Sequence, residues 1–292
     1  MANAIELFKQ YIAMLDEIYK LEAKTNVLDG ANELARQGAN ANELVIPKLS
    51  MDGLANYSRN DGYVKGNVDF TFETVKCNFD RGRMFQIDVM DNIETMGLVF
   101  GKLSSEFVRT KVIPELDAFR MAKYASIDGI STVAAADLAT GDAVVKALRA
   151  ATTKMNNDEV SEGNRILFIE TGLKGMIDDL DTTKSKEVLK KFSKVIEMPQ
   201  NRFYTAITQL TGKDGQEAGG YTRAEGANNI NFLIVEKSAA IQFAKRVNSK
   251  IITPERNQDA DAYKYGYRQV AIADAYENKL AGIYLHKSTV TA

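Results

Sequence analysis

The sequence predicts a mixed α+β protein organised around one long helix, and three observations carry that reading. Across residues 93–126, Met96, Phe100, Leu103 and Phe107 recur at helical spacing, with Val108, Val112, Leu116 and Phe119 forming a second stripe beside them. Two stretches, Val68–Phe72 and Phe85–Val89, alternate apolar and polar residues with the period of a half-buried strand. Two apolar runs, Ile166–Ile169 and Ile230–Val235, are each followed by a helical pattern, the strand–helix rhythm of a compact body.

The long helix has a start signal: Asp91 or Asn92 can cap it, and Glu94 places a negative charge in its first turn. Its ~33 residues would span roughly 50 Å. Pro114 lies inside it, removes one backbone donor and presses on the carbonyl of Thr110, so a kink or a break is expected there. Two readings stay open: two core helices meeting at Pro114, or a single bent spine.

Ahead of the helix, residues 1–25 have amphipathic spacing at Phe8, Ile12, Leu15 and Tyr19, and residues 26–43 are rich in Asn, Ala and Gly, as an arm or linker is. Val45–Leu49 begins an extended segment, in which Pro47 argues against a central strand. Asn56–Gly66 is polar, with Asp61-Gly62 as a turn signal. Residues 44–90 therefore read as a long hairpin with a polar, flexible tip, with Phe70, Phe72, Phe85 and Ile87 on its buried face. A plain β-meander in the core is the alternative.

Behind the helix, Asp142–Asn156 and Leu173–Leu180 read as helices and Val195-Ile196 as extended. Gly212–Gly226 reads as a loop, Ala239–Val247 as a helix, and Tyr265–Leu285 as an antiparallel hairpin turning at Asn278-Lys279.

Composition narrows the function. The 292 residues are 45% hydrophobic and 26% charged, enough for a sizeable core, and no run of ~20 apolar residues suggests a membrane span. The acids among the first apolar residues do not suit a secretory signal. A net charge of −2 lacks the basic excess of a protein that grips nucleic acid. One cysteine, Cys77, forbids an internal disulfide, and one histidine, His286, leaves little for a His/Cys zinc site or a Ser-His-Asp triad. No phosphate-loop, zinc-protease or nucleophile-elbow motif is present, so no catalytic, metal or cofactor residue is assigned. Asn257, Asp259 and Asp261 have the spacing of a calcium loop, but Ala262 and Arg268 replace its Gly and Glu, which favours an Asx turn. Arg81-Gly82-Arg83 would suit a phosphate or, more commonly, neighbouring carboxylates such as Asp80 or Asp88. What remains is a shape: an arm, a hairpin and a spine that lack a core of their own, the logic of a protein whose neighbours bury them.

The strings NFDRGRMFQIDVMDN (78–92), EFVRTKVIPELDAFRMAKYA (106–125), VIPKLSMDGLANYSRNDGYVKG (45–66), NQDADAYKYGYR (257–268) and YENKLAGIYLHKS (276–288) resemble the major capsid proteins of tailed bacteriophages infecting Gram-positive bacteria. The resemblance runs over about residues 44–288 and implies the fold shared by phage coats, herpesvirus capsid floors and encapsulins. It implies an N-terminal arm (1–43), an extended hairpin loop (44–90), a peripheral domain with the spine (91–159), an axial domain (160–255) and closing strands (256–292). Implied in turn is a non-enzymatic virion protein, assembled in the host bacterial cytoplasm. It would form hexamers and pentamers of an icosahedral head shell around double-stranded DNA, without sequence-specific binding, cofactor or membrane. Scaffolding, portal and decoration proteins would be its further partners. Arg81, Arg83, Phe70 and Phe72 are the candidate inter-subunit contacts. Two rival functions are an encapsulin-type compartment shell and a monomeric α+β enzyme with a carboxylate site.

Overall fold

A computed structural model of the chain describes residues 23–30, 36–37, 43–60, 62–90, 103, 105–180 and 183–291. Most of the helix expected over residues 1–25 and the first part of the spine, 93–102, lie outside them. A 3-10 turn at Lys24–Leu28 is followed by β1 (Arg36–Gln37), β2 (Glu43–Met51), β3 (Val68–Lys76) and β4 (Phe79–Asp88). A π-helical turn, Val108–Val112, leads into α1 (Ile113–Ala125), followed by β5 (Ser131–Thr132) and α2 (Gly141–Asn157). Next come β6 (Arg165–Glu170), α3 (Thr171–Leu180), α4 (Thr183–Leu189), β7 (Lys194–Met198), β8 (Ile207–Gln209) and β9 (Tyr221–Arg223). Four strands close the order: β10 (Asn228–Glu236), β11 (Ala240–Ile252), β12 (Ala262–Ala275) and β13 (Ile283–Thr291).

The spine is one uninterrupted helical run over residues 105–125, so the single bent helix is the reading the structure supports. Pro114 does not break it because the turn before it widens. The Ile113 N–H donates to Val108 O, five residues back, while Phe107, Val112 and Ile113 all keep right-handed helical angles. A π turn of this kind makes room where a proline ring would otherwise strike the preceding turn.

The five-stranded sheet, ordered β5-β13-β10-β6-β7, is buried on both faces. Alternate residues of its central strands divide between two cores. Ile166, Phe168, Leu233 and Val235 meet Met121 and Tyr124 of the spine. Leu167, Ile169, Phe232 and Ile234 meet Val144, Leu148 and Met155 of α2, with Ile177 of α3 and Val188 of α4. This double burial is why β6 and β10 read as continuous apolar runs rather than alternating ones. The other end of the spine, at Val108, Val112 and Ile113, packs on Tyr265 and Tyr267 of the three-stranded sheet β11-β12-β4. The spine thus bridges two sheets.

Three expectations are corrected. Ala239–Val247 is not a helix but the start of β11, antiparallel to β12 from Ala240↔Ala275 to Ile252↔Lys264. Ile241, Ala244 and Val247 stand three apart in the sequence and imitate a helix, and a bulge between Ala244 and Arg246 interrupts the strand's alternation. Tyr265–Leu285 is not a hairpin, because β12 and β13 belong to different sheets. The 3-10 segment Glu277–Gly282 redirects the chain, tied by the Tyr276 N–H to Ala239 O at 3.0 Å. A Cβ on Gly282 would lie 2.7 Å from that of Ala239, so only glycine allows the close crossing.

The third correction concerns residues 44–90. The hairpin is β2 with β3, in register from Glu43↔Lys76 to Met51↔Val68, while β4 leaves it to pair with β12. The Asn78 side chain sets that departure: its Nδ2 donates to Ala273 O at 2.7 Å and its Oδ1 accepts from Ala273 N at 3.1 Å. Phe85 and Ile87 therefore lie in the sheet under the spine, not on the hairpin. Pro47 lies on β2 opposite Phe72 of β3.

The Asn257–Asp261 segment is a turn held by its own side chains. The Asp259 N–H donates to Asn257 Oδ1 at 3.3 Å, Asn257 Nδ2 donates to Ala262 O at 2.9 Å, and Asp259 pairs with Lys264. His286 lies inside β13, stacked on Phe232 with centroids 4.9 Å apart and with Nδ1 3.0 Å from Asn231 Nδ2.

Candidate assembly surface

The β2–β3 hairpin carries apolar side chains that this chain leaves uncovered. Phe70 and Phe72 are each 59% exposed, with Met51 and Val68 similarly open, and the two phenyl rings lie edge to face with centroids 5.1 Å apart. Met51 is the register partner of Val68, and Phe70 and Phe72 follow Val68 at alternate positions, so these four apolar side chains share one face. Ser50↔Asp69 and Lys48↔Thr71 occupy the other. The alternation expected of β3 is present, but the phenyl face is exposed rather than buried. Covering each ring would contribute roughly 1–2 kcal/mol, the part of a full Phe burial still available.

The tip is also less polar in effect than its composition. Asp52 fixes its base through the Asn67 N–H (2.7 Å to Oδ2), and Tyr57 and Tyr63 pack with centroids 4.9 Å apart across the Ser58–Gly62 bridge. Leu54, Tyr63 and Val64 point into solvent. A contiguous apolar patch of this kind is the mark of an interaction surface.

Arg81 and Arg83 stand mid-strand on β4, not at a turn, and do not join the phenyl face. Arg81 Nε meets Glu115 Oε1 of the spine at 2.8 Å, and its Nη2 donates to Leu210 O (2.7 Å) and Gly220 O (3.2 Å). Arg83 donates to Glu217 O at 2.6 Å and Ala218 O at 3.3 Å. The pair therefore clasps the glycine-rich loop between β8 and β9 to β4 within one chain. Asp80, the carboxylate next door, pairs instead with Arg268 across the ladder, at 2.6 Å. Hydrogen bonding from that guanidinium holds the Asp80 carboxyl below its ordinary range.

Sequence reasoning missed the most buried polar cluster. Asp117 and Arg120, both fully buried on the spine, hold the root of the N-terminal segment. Asp117 accepts from Lys24 N (3.1 Å), Thr25 N (3.2 Å) and Thr25 Oγ1 (2.7 Å). Arg120 donates to Thr25 Oγ1 at 2.8 Å and to Asp29 Oδ1 at 3.2 Å. Gln242 of β11 closes the cluster on Thr25 O and Asp29 Oδ1, each at 2.7 Å. The signal was there to find: Ile113, Asp117, Arg120 and Tyr124 share one helical face, and charged residues on an apolar face imply buried partners.

No known family profile matches the chain, and no curated protein matches its sequence. Solved structures do match its fold. A virus-like particle from Pyrococcus furiosus aligns with TM-score 0.59 and 10% identity over 96% of this chain and 99% of that one. The capsid of Myoviridae phage XM1 aligns with TM-score 0.56 and 12% identity over 90% of both chains. The capsid of Staphylococcus phage Andhra aligns with TM-score 0.55 and 10% identity over 90% of this chain and 84% of that one. Aligned over 90% or more of its length with each of these structures, this chain has the tailed-phage capsid fold.

Proposed function

We propose that the chain is a major capsid protein that forms hexamers and pentamers of an icosahedral head shell around phage double-stranded DNA. The observation that carries the reading is the exposed phenyl face of a hairpin that extends from a chain of this fold. Such a face marks an interaction surface, and a closed shell supplies a neighbour to cover it in every copy. Phe70 and Phe72 are the contacts we assign to it. Arg81 and Arg83 contribute by fixing the loop beside β4, so their part in subunit contact is indirect. The arm (1–43), peripheral (91–159), axial (160–255) and closing (256–292) divisions follow the same reading, with the extended loop confined to the β2–β3 hairpin. A net charge of −2 suits a wall that encloses DNA without trapping it.

A second shell reading, a compartment around cargo protein rather than a genome, is favoured by the match to the virus-like particle over nearly all of both chains. One experiment addresses both. The protein is expressed alone, purified gently, imaged by electron microscopy and sedimented, and the contents of any particle are identified. Closed shells or capsomer rings support the proposal, with nucleic acid or a cargo protein inside separating the two readings. A chain that stays monomeric with and without a co-expressed scaffolding protein overturns both.

A further inference from the structure

Between β4, the N-terminal half of the spine and the β8–β9 loop runs an open groove of about 1230 Å³. Among the described residues, its lining has six basic ones, Arg81, Arg83, Lys111, Arg202, Lys213 and Arg223, against two acidic ones, Glu106 and Glu115; Arg81 is paired with Glu115 and Arg202 with the buried Asp117 at 3.6 Å. That excess stands out in a chain whose net charge is −2. Two of the cations are held ready by neutral partners. Arg83 rests on the carbonyls of Glu217 and Ala218. Arg223 donates to Ala227 O at 2.6 Å and Val290 O at 2.8 Å, with its guanidinium over the Tyr204 ring. Carbonyl oxygens orient a guanidinium without cancelling its charge, so the positive field remains available to a ligand. Gly219 allows the loop to close, since a Cβ there would lie 2.7 Å from Arg83 Nη1.

The rest of the lining is apolar, with Phe85, Leu103, Phe107 and Pro114 along the floor. Its rings are already engaged: Phe107 packs edge-on against Phe85 at 4.8 Å and against Tyr267 at 6.0 Å, and Tyr204 lies under Arg223. A nucleic-acid strand needs ring faces on which its bases stack. A peptide that alternates carboxylates with apolar side chains needs only the charges and the floor. We propose that this groove binds an extended acidic peptide segment of a second, different protein.

The test titrates the full-length protein with a fluorescein-labelled 12-residue peptide of Glu, Asp, Leu and Ser, read by anisotropy. The variant Lys111→Glu/Lys213→Glu changes two exposed side chains of the lining, and Lys111→Arg/Lys213→Arg keeps their charge. Saturable binding, weakened at least tenfold by the Glu pair and retained by the Arg pair with unchanged unfolding midpoints, supports the proposal. Absence of binding, or binding indifferent to the Glu pair, overturns it. So does tighter binding of a 12-residue oligothymidylate, or displacement of the acidic peptide by an equimolar peptide of residues 43–76, which would make the occupant a second copy of this chain. The titration needs no assembled shell, so its failure leaves the capsid reading standing.

Discussion

The Thr25 hydroxyl donates to Asp117 Oδ1 at 2.7 Å, joining the root of the N-terminal segment to the middle of the spine. Both residues are fully buried, and Arg120 approaches the same hydroxyl from the other side at 2.8 Å. Removing the carboxylate strands a hydroxyl, two backbone N–H groups and a nearby guanidinium at once. Asp117→Ala is expected to cost roughly 3 kcal/mol of stability, and Thr25→Val about 1–2 kcal/mol. Urea unfolding of the unassembled chain measures both, and equal effects would show that the cluster is not centred on Asp117.

Arg81 is a fork with three acceptors in two elements. Lysine carries the charge without the fork. Arg81→Lys is therefore expected to leave the fold intact while amide exchange in residues 210–220 rises about tenfold, the worth of one charge-assisted hydrogen bond near 1.5 kcal/mol. Exchange followed by mass spectrometry reads it directly.

Gly82 sits between those arginines, opposite Arg268 in the ladder. A Cβ there would lie 2.7 Å from Tyr267 O and 3.2 Å from Arg268 Cβ. Because the first of these is backbone, relief requires the strands to separate. Gly82→Ala should lower stability by about 1–3 kcal/mol, and an unchanged melting temperature would contradict the close approach.

The hairpin phenyls should behave in the opposite way. Phe70→Ser and Phe72→Ser remove side chains that are mostly in water, so unfolding of the single chain should change by less than about 0.5 kcal/mol. Shell yield by sedimentation should fall sharply. Shells forming at normal yield from the double variant would remove this face from the subunit contact.

His286 gives a pH dependence with a definite sign. Burial pushes its pKa below the ordinary 6.5, because the imidazolium would lose its hydration. The unfolded chain then takes up the proton first. The associated stability is complete above about pH 6.5 and is lost as pH falls from there through the folded-state pKa, at no more than about 1.4 kcal/mol per pH unit. His286→Gln keeps an acceptor for Asn231 and should flatten that slope between pH 7 and 5.

The parts of the fold that could be read in advance were those whose pattern is local. The apolar spacing of 105–125, the buried runs of β6 and β10 and the alternation of β3 each announce themselves within a dozen residues. What escaped depends on partners far along the chain. The bulge after Ala244 disguised β11, and the departure of β4 toward β12 rests on Asn78 reaching Ala273. The arginines of β4 were legible as charged contacts, but their acceptors are loop carbonyls, which have no signature in side-chain chemistry.

The widened turn at Val108–Val112 also sets a clock. A π turn spends one more residue than an ordinary helical turn on the same rotation, so everything after it lags an unbroken α-helix by about 100° around the axis. On the two sides of this turn, Val108 packs against one sheet and Met121 and Tyr124 against the other. Removing a single residue there would close the wide turn to an ordinary one and leave the second half of the spine facing as it does, whereas adding a residue would turn it out of phase with the first half, aiming Asp117 and Arg120 away from the segment they hold.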